Sequence, residues 1–202
     1  RRAWRARALS ASGALAAIVV GTLAVSAGWS WGIVLVAYFV SAALLSRYRA
    51  DDKATRLGGR LDKAGARDAV QVLANGGAFG LMAIGYWLHP DAAWLVLASG
   101  ALAASAADTW ATEIGILSPA MPRSILSWRP VSAGTSGGIT ARGMLAGAAG
   151  AAFIAAAIWL VRWPTVATIS ALVGGLAGCV LDSIIGASMQ ARRWCASCAA
   201  PT

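Results

Sequence analysis

Six apolar runs alternate with short polar segments along the chain, over about residues 8–28, 29–46, 69–88, 92–107, 143–161 and 163–181. Each approaches the roughly 20 residues that an α-helix needs to cross the apolar core of a bilayer. The pattern predicts an all-α, polytopic membrane protein. Residues 1–202 would form a single integral membrane domain, a bundle of six transmembrane helices whose cytoplasmic loops form the site. The first run, preceded by RRAWRAR and followed by VSAG, also fits a cleavable signal peptide. The five runs that follow favour an uncleaved anchor. Between the first two runs, AGWSWG offers Gly and Ser for a tight turn and Trp for an interface anchor.

Composition supports this reading. Hydrophobic residues make up 58% of the chain and charged residues 12%, about half the charged share of an ordinary soluble domain. Charge then sets an orientation. With six spans, the N-terminal arm, the second-to-third loop, the fourth-to-fifth loop and the tail share one side. Those segments carry all of the 17 Lys and Arg residues except Arg162. The positive-inside rule places both termini and both long loops in the cytoplasm, as in a multi-pass protein of the cell's inner (plasma) membrane. A sequence pI near 10.8 could point to nucleic acid, but a basic rim on the bilayer accounts for it better, so no nucleic-acid partner is expected.

Polar residues inside the runs can be placed by depth. At about 1.5 Å per residue, Asp108 lies roughly 24 Å from the outer start of its span and Asp182 roughly 28 Å below Trp163. Asn75 lies roughly 10 Å above the cytoplasmic start of its helix. All three are expected near the inner leaflet, where a membrane acid faces a cavity, a partner or an ion.

The stretch AADTWATEIG, Ala106 to Gly115, concentrates this chemistry. On a helix, Asp108 and Thr112 share one row and Thr109 and Glu113 the next. Asp108 and Glu113 are about 140° apart, so they flank a cleft or the helix ends between them. Four oxygen-bearing side chains at a helix end suit a hard cation such as Mg²⁺. The alternative is that they cap the helix and pair with nearby arginines.

RPVSAGTSGGIT, Arg129 to Thr140, adds a glycine-rich turn just before a helix. Successive backbone N–H groups in such a turn can form an anion-binding nest, and the helix that follows adds the positive end of its dipole. Arg123, Arg129 and Arg142 lie nearby in sequence. No G-x-x-x-x-G-K-[ST] is present, so this is not a P-loop.

GARDAVQVLANGG, AADTWATEIG, GTSGGIT and LDSIIGASMQ, in this order and spacing, resemble motifs of one integral membrane family. It contains transmembrane protein 19 and the plant and cyanobacterial phytyl-phosphate kinases. The resemblance covers about residues 13–198. It implies a prenyl-phosphate kinase that converts a polyprenyl (phytyl-like) monophosphate to the diphosphate, with CTP or another nucleoside triphosphate as donor and Mg²⁺ as cofactor. By the same resemblance, Asp108 and Glu113 would be catalytic and hold Mg²⁺, with Asp182 as a further ligand. Gly134, Thr135, Ser136, Gly137 and Gly138 would cradle phosphates. Thr109 and Thr112, from the rows of the same helix, and Arg123, from its nearness in sequence to the glycine turn, are the further candidates for substrate or nucleotide binding. Arg67 would neutralise the acceptor phosphate, Asn75 would orient its oxygens, and Asp68, of the same motif, would bind substrate. Phosphoryl transfer needs positioning and charge neutralisation rather than an activated side-chain nucleophile. The lone His89 accordingly reads as interfacial.

Other features read as structural. Gly76/Gly80, Gly143/Gly147 and Gly174/Gly178, each four residues apart, permit close helix contact in lipid and leave room for a thin prenyl chain. The basic loop from Ser46 to Asp68 reads mostly as a solvated interfacial helix. Cys179 reads as packing. Cys195 and Cys198 have metal-ligand spacing but make only half of a four-ligand zinc site, which a second subunit of a homo-oligomer would have to complete. Two other function classes fit parts of the pattern. A cytidylyltransferase acting on a lipid phosphate would use the same groups but release pyrophosphate. A small transporter or lipid flippase would place its polar groups at the midplane, whereas here they gather on one side.

Overall fold

The computed structural model describes residues 9–57, 66–189, 194–195 and 200–201. Arg1, Arg2, Arg5, Arg7, Arg60, Lys63, Arg192, Arg193 and Cys198 lie outside the described residues, so the proposed cysteine pair does too.

The chain is helical, with α1 over Ala11–Ala27, α2 over Trp29–Arg47, a short α3 over Ala50–Leu57, α4 over Ala69–Leu88, α5 over Ala92–Gly115, α6 over Ala141–Leu160 and α7 over Thr165–Met189. Five of these are long and apolar enough to cross a membrane. The apolar α1 is shorter, at 17 residues. Two-residue strands β1 (Arg123–Ser124) and β2 (Gly138–Ile139) pair antiparallel, and β3 (Trp194–Cys195) pairs with β4 (Ala200–Pro201).

Side-chain oxygens fix several helix starts. Ser10 accepts from the Gly13 N–H, Asp91 from Ala93 and Thr140 from Gly143, each satisfying a backbone donor that the helix cannot. Asp68 caps α4 with a reciprocal box: its carboxylate accepts from the Gln71 N–H at 2.9 Å, and the Gln71 side chain accepts from the Asp68 N–H at 3.1 Å. A substrate-binding role for Asp68 is not what this geometry supports. Asp68→Ala is expected to cost about 1 kcal/mol of stability, as thermal melts will show.

The bundle is sorted for lipid. Large apolar side chains such as Val19, Val36, Leu145 and Val173 point outward, while the interior is rich in alanine and glycine. Helices in lipid gain little from burying apolar groups against one another and instead rely on close backbone approach. Central α5 packs on α7, α6, α4 and α2. Along the α5–α6–α7 seam a Cβ on Gly174 would lie 2.9 Å from the Gly100 Cα, and one on Gly150 would lie 2.9 Å from the Ala106 carbonyl. Gly76 and Gly80 face Val20 at an ordinary 3.5 Å. At the end away from α3, Trp31 packs on Phe79, Tyr86 and Trp163, with ring centroids 4.9–5.4 Å apart. There Trp163 donates to the Ser30 hydroxyl and ties together the α1–α2 and α6–α7 turns.

Two helices run past their expected ends. The fourth span was expected to close near Ala107 and the sixth near Leu181, yet α5 continues to Gly115 and α7 to Met189. Polarity alone does not stop a helix. A cap or a proline does, and the next proline after α5 is Pro119. Asp108, Glu113 and Asp182 therefore all sit on continuous helices.

Candidate functional site

The two rows predicted on α5 point to different places. Asp108 and Thr112 line a cavity of about 230 Å³ that Asp182 of α7 and the glycine loop also line. The Asp108 and Asp182 carboxylates adjoin each other there. The ion pairs among the described residues are Arg49–Asp52 and Lys53–Glu113, so neither cavity acid has a basic partner.

The loop closes the cavity from the α6 side. The β1–β2 pair joins its flanks, and the Ile125 N–H donates to the Gly137 carbonyl at 2.9 Å. Gly134, Thr135, Ser136, Gly137 and Gly138 all line the cavity, as do Thr140 and Gly143 at the start of α6. Gly134 and Gly137 have φ of +82° and +71°, a backbone region that glycine enters at no steric cost. The Ser136 and Gly137 N–H groups have no hydrogen-bond acceptor among the described residues. Two consecutive free N–H groups, a left-handed glycine and a helix N-terminus on one wall form a surface suited to anionic oxygens.

Gly137 is also a packing residue. A Cβ there would lie 2.6 Å from the Ser183 carbonyl and 2.7 Å from the Ala187 N, because the loop lies directly on α7. Gly137→Ala is therefore expected to destabilise the protein by about 1–2 kcal/mol from backbone strain alone. Thermal melts and limited proteolysis of the loop will register it before any effect on ligand can be separated.

The second row of α5 enters a different network. The Glu113 carboxylate accepts from Lys53 Nζ at 2.6 Å and from the Ser46 hydroxyl at 2.6 Å. Ser46 in turn accepts from Arg67 at 2.9 Å, and Lys53 also donates to the Leu45 carbonyl. Lys53, 4% exposed, is the most buried charged residue described, which corrects its reading as part of a solvated interfacial helix. Its partner on the next turn of α5 drew it inward. Thr109 is buried in the same row, next to the buried hydroxyl of Tyr38.

Glu113 does not line the acid cavity, and among the described residues no three of His, Cys, Asp or Glu gather as a metal cluster. The expected Asp108–Glu113–Asp182 ligand set is thus reduced to Asp108 and Asp182. Arg67 and Asn75 do not line the cavity either. Arg67 is committed to Ser46 and the Ala42 carbonyl. Asn75 is half-buried on α4 and makes no side-chain hydrogen bond among the described residues. Arg123 is exposed and donates to the Trp128 carbonyl, closing its own turn rather than reaching the cavity. Sequence reasoning missed Lys53, Ser46, Ser183 and the cavity-facing position of Cys179. A lysine in a mixed-charge loop, or a serine or cysteine in an apolar helix, carries no local signal of the partner it will meet.

With two carboxylates and no third acid among the described residues that line it, the cavity still suits Mg²⁺, which commonly binds through one or two carboxylates, with substrate phosphates and water supplying the rest. Thr112 and the free loop N–H groups provide further polar contacts.

Comparison with known proteins agrees with the motifs. Protein PGR of Arabidopsis thaliana is 31% identical over 221 residues, covering 96% of this chain and 76% of its own. An uncharacterised membrane protein of Methanocaldococcus jannaschii is 31% identical over 192 residues, covering 92% of this chain and 76% of its own. No solved structure matches the chain. All of it, residues 1–202, matches the family described as integral membrane protein DUF92, and the chain belongs to that family.

Proposed function

We propose that the protein is a prenyl-phosphate kinase of the cell's inner membrane, taking a phosphoryl group from a nucleoside triphosphate, with CTP favoured, to a polyprenyl monophosphate. The observation that carries this reading is the meeting, in one cavity, of a glycine loop with two carboxylates that have no basic partner among the described residues. Acids hold the cation that accompanies a triphosphate, and free backbone N–H groups hold its oxygens. Together they neutralise the charge that repels an incoming phosphate, which is the main demand of phosphoryl transfer. When bound, Mg²⁺ would supply Lewis-acid neutralisation of the transferring group, held by Asp108 and Asp182.

In this reading an oxygen of the acceptor's own phosphate forms a bond to the γ-phosphorus. The bond from that phosphorus to the β–γ bridging oxygen breaks, and the nucleoside diphosphate leaves. The apolar outer surface lets the prenyl chain remain in the lipid while its phosphate reaches the helix ends. Arg67, which donates to Ser46 beside the Lys53–Glu113 pair, places positive charge near the same end of the bundle.

Purified protein given phytyl, farnesyl and geranylgeranyl phosphates with each nucleotide tests the reaction directly. Release of CDP with formation of the prenyl diphosphate is expected. Pyrophosphate release would instead identify a cytidylyltransferase, and no nucleotide turnover with any acceptor would remove the enzymatic reading.

The orientation that serves a cytoplasmic nucleotide places both termini inside. Reporter fusions after Leu88 and after Thr202 are expected to report opposite sides, and the same side for both would overturn that topology.

A further inference from the structure

A second cavity, of about 330 Å³, adjoins the first and shares the walls formed by Gly115, Ile116, Pro122 and Ala133. Its remaining wall comes from Arg56 of α3 and the turn from Ser118 to Met121. The character of the lining changes between the two. The first cavity carries the acids, the hydroxyl groups and the loop N–H groups. Among the described residues the second is lined by no acid, and offers proline, isoleucine and methionine surfaces with the Arg56 guanidinium. Arg56 is held by donation to the Ser118 carbonyl, and the neighbouring Leu57 presses on the loop, where a Cβ on Gly134 would lie 2.7 Å from its Cδ2. The end of α3 thus meets both compartments.

We infer that the two compartments form one bipartite nucleotide site, with the triphosphate in the first and the nucleoside, base and ribose, in the second. This rests on the nucleoside triphosphate reading above. Size supports it: the first cavity alone is below the roughly 300–1,000 Å³ of ordinary small-ligand sites, and the two together fall inside that range. Chemistry supports it as well. A base is a flat, largely apolar plate that packs on proline and methionine, and a guanidinium stacks on its face. Phosphates would find no partner but Arg56 there, whereas the first cavity suits them throughout. Arg56, Pro119, Ala120 and Met121 would then act on affinity for the nucleoside and leave phosphate binding alone.

The test compares Mg²⁺–CTP with Mg²⁺–tripolyphosphate, which has the phosphates and no nucleoside. Both are titrated against full-length detergent-solubilised protein, as wild type, Arg56→Ala and Ala120→Trp. Wild type is expected to bind CTP more tightly than tripolyphosphate. Each variant is expected to lose about tenfold or more in CTP affinity, some 1.4 kcal/mol, with tripolyphosphate affinity unchanged. Retained tripolyphosphate binding also shows that each variant is folded. Equal affinity of wild type for the two ligands, or CTP binding untouched in both variants, would overturn the bipartite site while leaving a phosphate site in place. Loss of both ligands in parallel in Ala120→Trp and Arg56→Ala would also overturn it, since the two compartments would then not be separable. Failure of wild type to bind either ligand would overturn the donor reading itself, and this inference with it.

Discussion

Asp108→Asn is expected to reduce turnover by roughly 10²- to 10³-fold while raising the melting temperature of the ligand-free protein. The two effects have opposite signs for one reason. Asp108 and Asp182 adjoin each other with no basic partner among the described residues, so the folded protein carries an uncompensated repulsion that neutral asparagine relieves. In the proposed kinase the same repulsion would become attraction with a divalent ion and a triphosphate in the cavity, and losing one of two carboxylates would then remove several kcal/mol of charge stabilisation, about a decade of rate for each 1.4 kcal/mol. Asparagine has nearly the shape of aspartate, so packing on α5 is preserved. The decisive comparison is a thermal melt with and without Mg²⁺–nucleotide beside an activity assay. Near-normal activity together with a lowered melting temperature would mean that Asp108 is structural and that the cavity is not the site.

Breaking the Lys53–Glu113 pair is expected to act through stability instead. Their side chains are 6% and 20% exposed, so removing one partner leaves the other charged and poorly solvated, at about 3 kcal/mol. Lys53→Met and Glu113→Gln should each lower the unfolding midpoint, and Lys53→Met combined with Glu113→Gln should recover most of the loss, because no orphan charge remains. A metal-ligand role for Glu113 makes a different forecast. Glu113→Gln alone would then abolish turnover in stable protein, and the combined variant would be no better. The cycle of single and double variants, read by both stability and activity, separates the two outcomes.

Much of this architecture was legible in the sequence because lipid imposes it. Apolar runs of spanning length located α1, α2, α4, α5, α6 and α7, and the GTSGGIT turn located the loop that lines the cavity. The alternation of rows on α5 was also readable, since helical spacing alone separates Asp108 and Thr112 from Thr109 and Glu113. What each row faces was not readable. Glu113 and Asp108 carry the same charge five residues apart, and only tertiary packing sends one to Lys53 and the other to Asp182. The apolar runs stop near Ala107 and Leu181, whereas α5 and α7 continue as helices, because nothing at Asp108 or Asp182 prevents the next turn from forming. Arg123 was assigned by proximity in sequence to the glycine loop, and its side chain instead closes the turn at Trp128.

Backbone meets backbone along the α5–α6–α7 seam, at Gly100 and Gly174 and at Ala106 and Gly150, and this divides the molecule by its tolerance of sequence drift. Lipid-facing positions such as Val36 and Val173 can exchange one apolar side chain for another with little effect. One methyl group added at Gly174 must push apart α5 and α7, the helices that carry Asp108 and Asp182, and one at Gly150 must push α6 off α5. Descendants of this sequence are therefore free to rewrite the outer surface for membranes of different thickness or composition, while the spacing of the two carboxylates is inherited with the glycines beneath them.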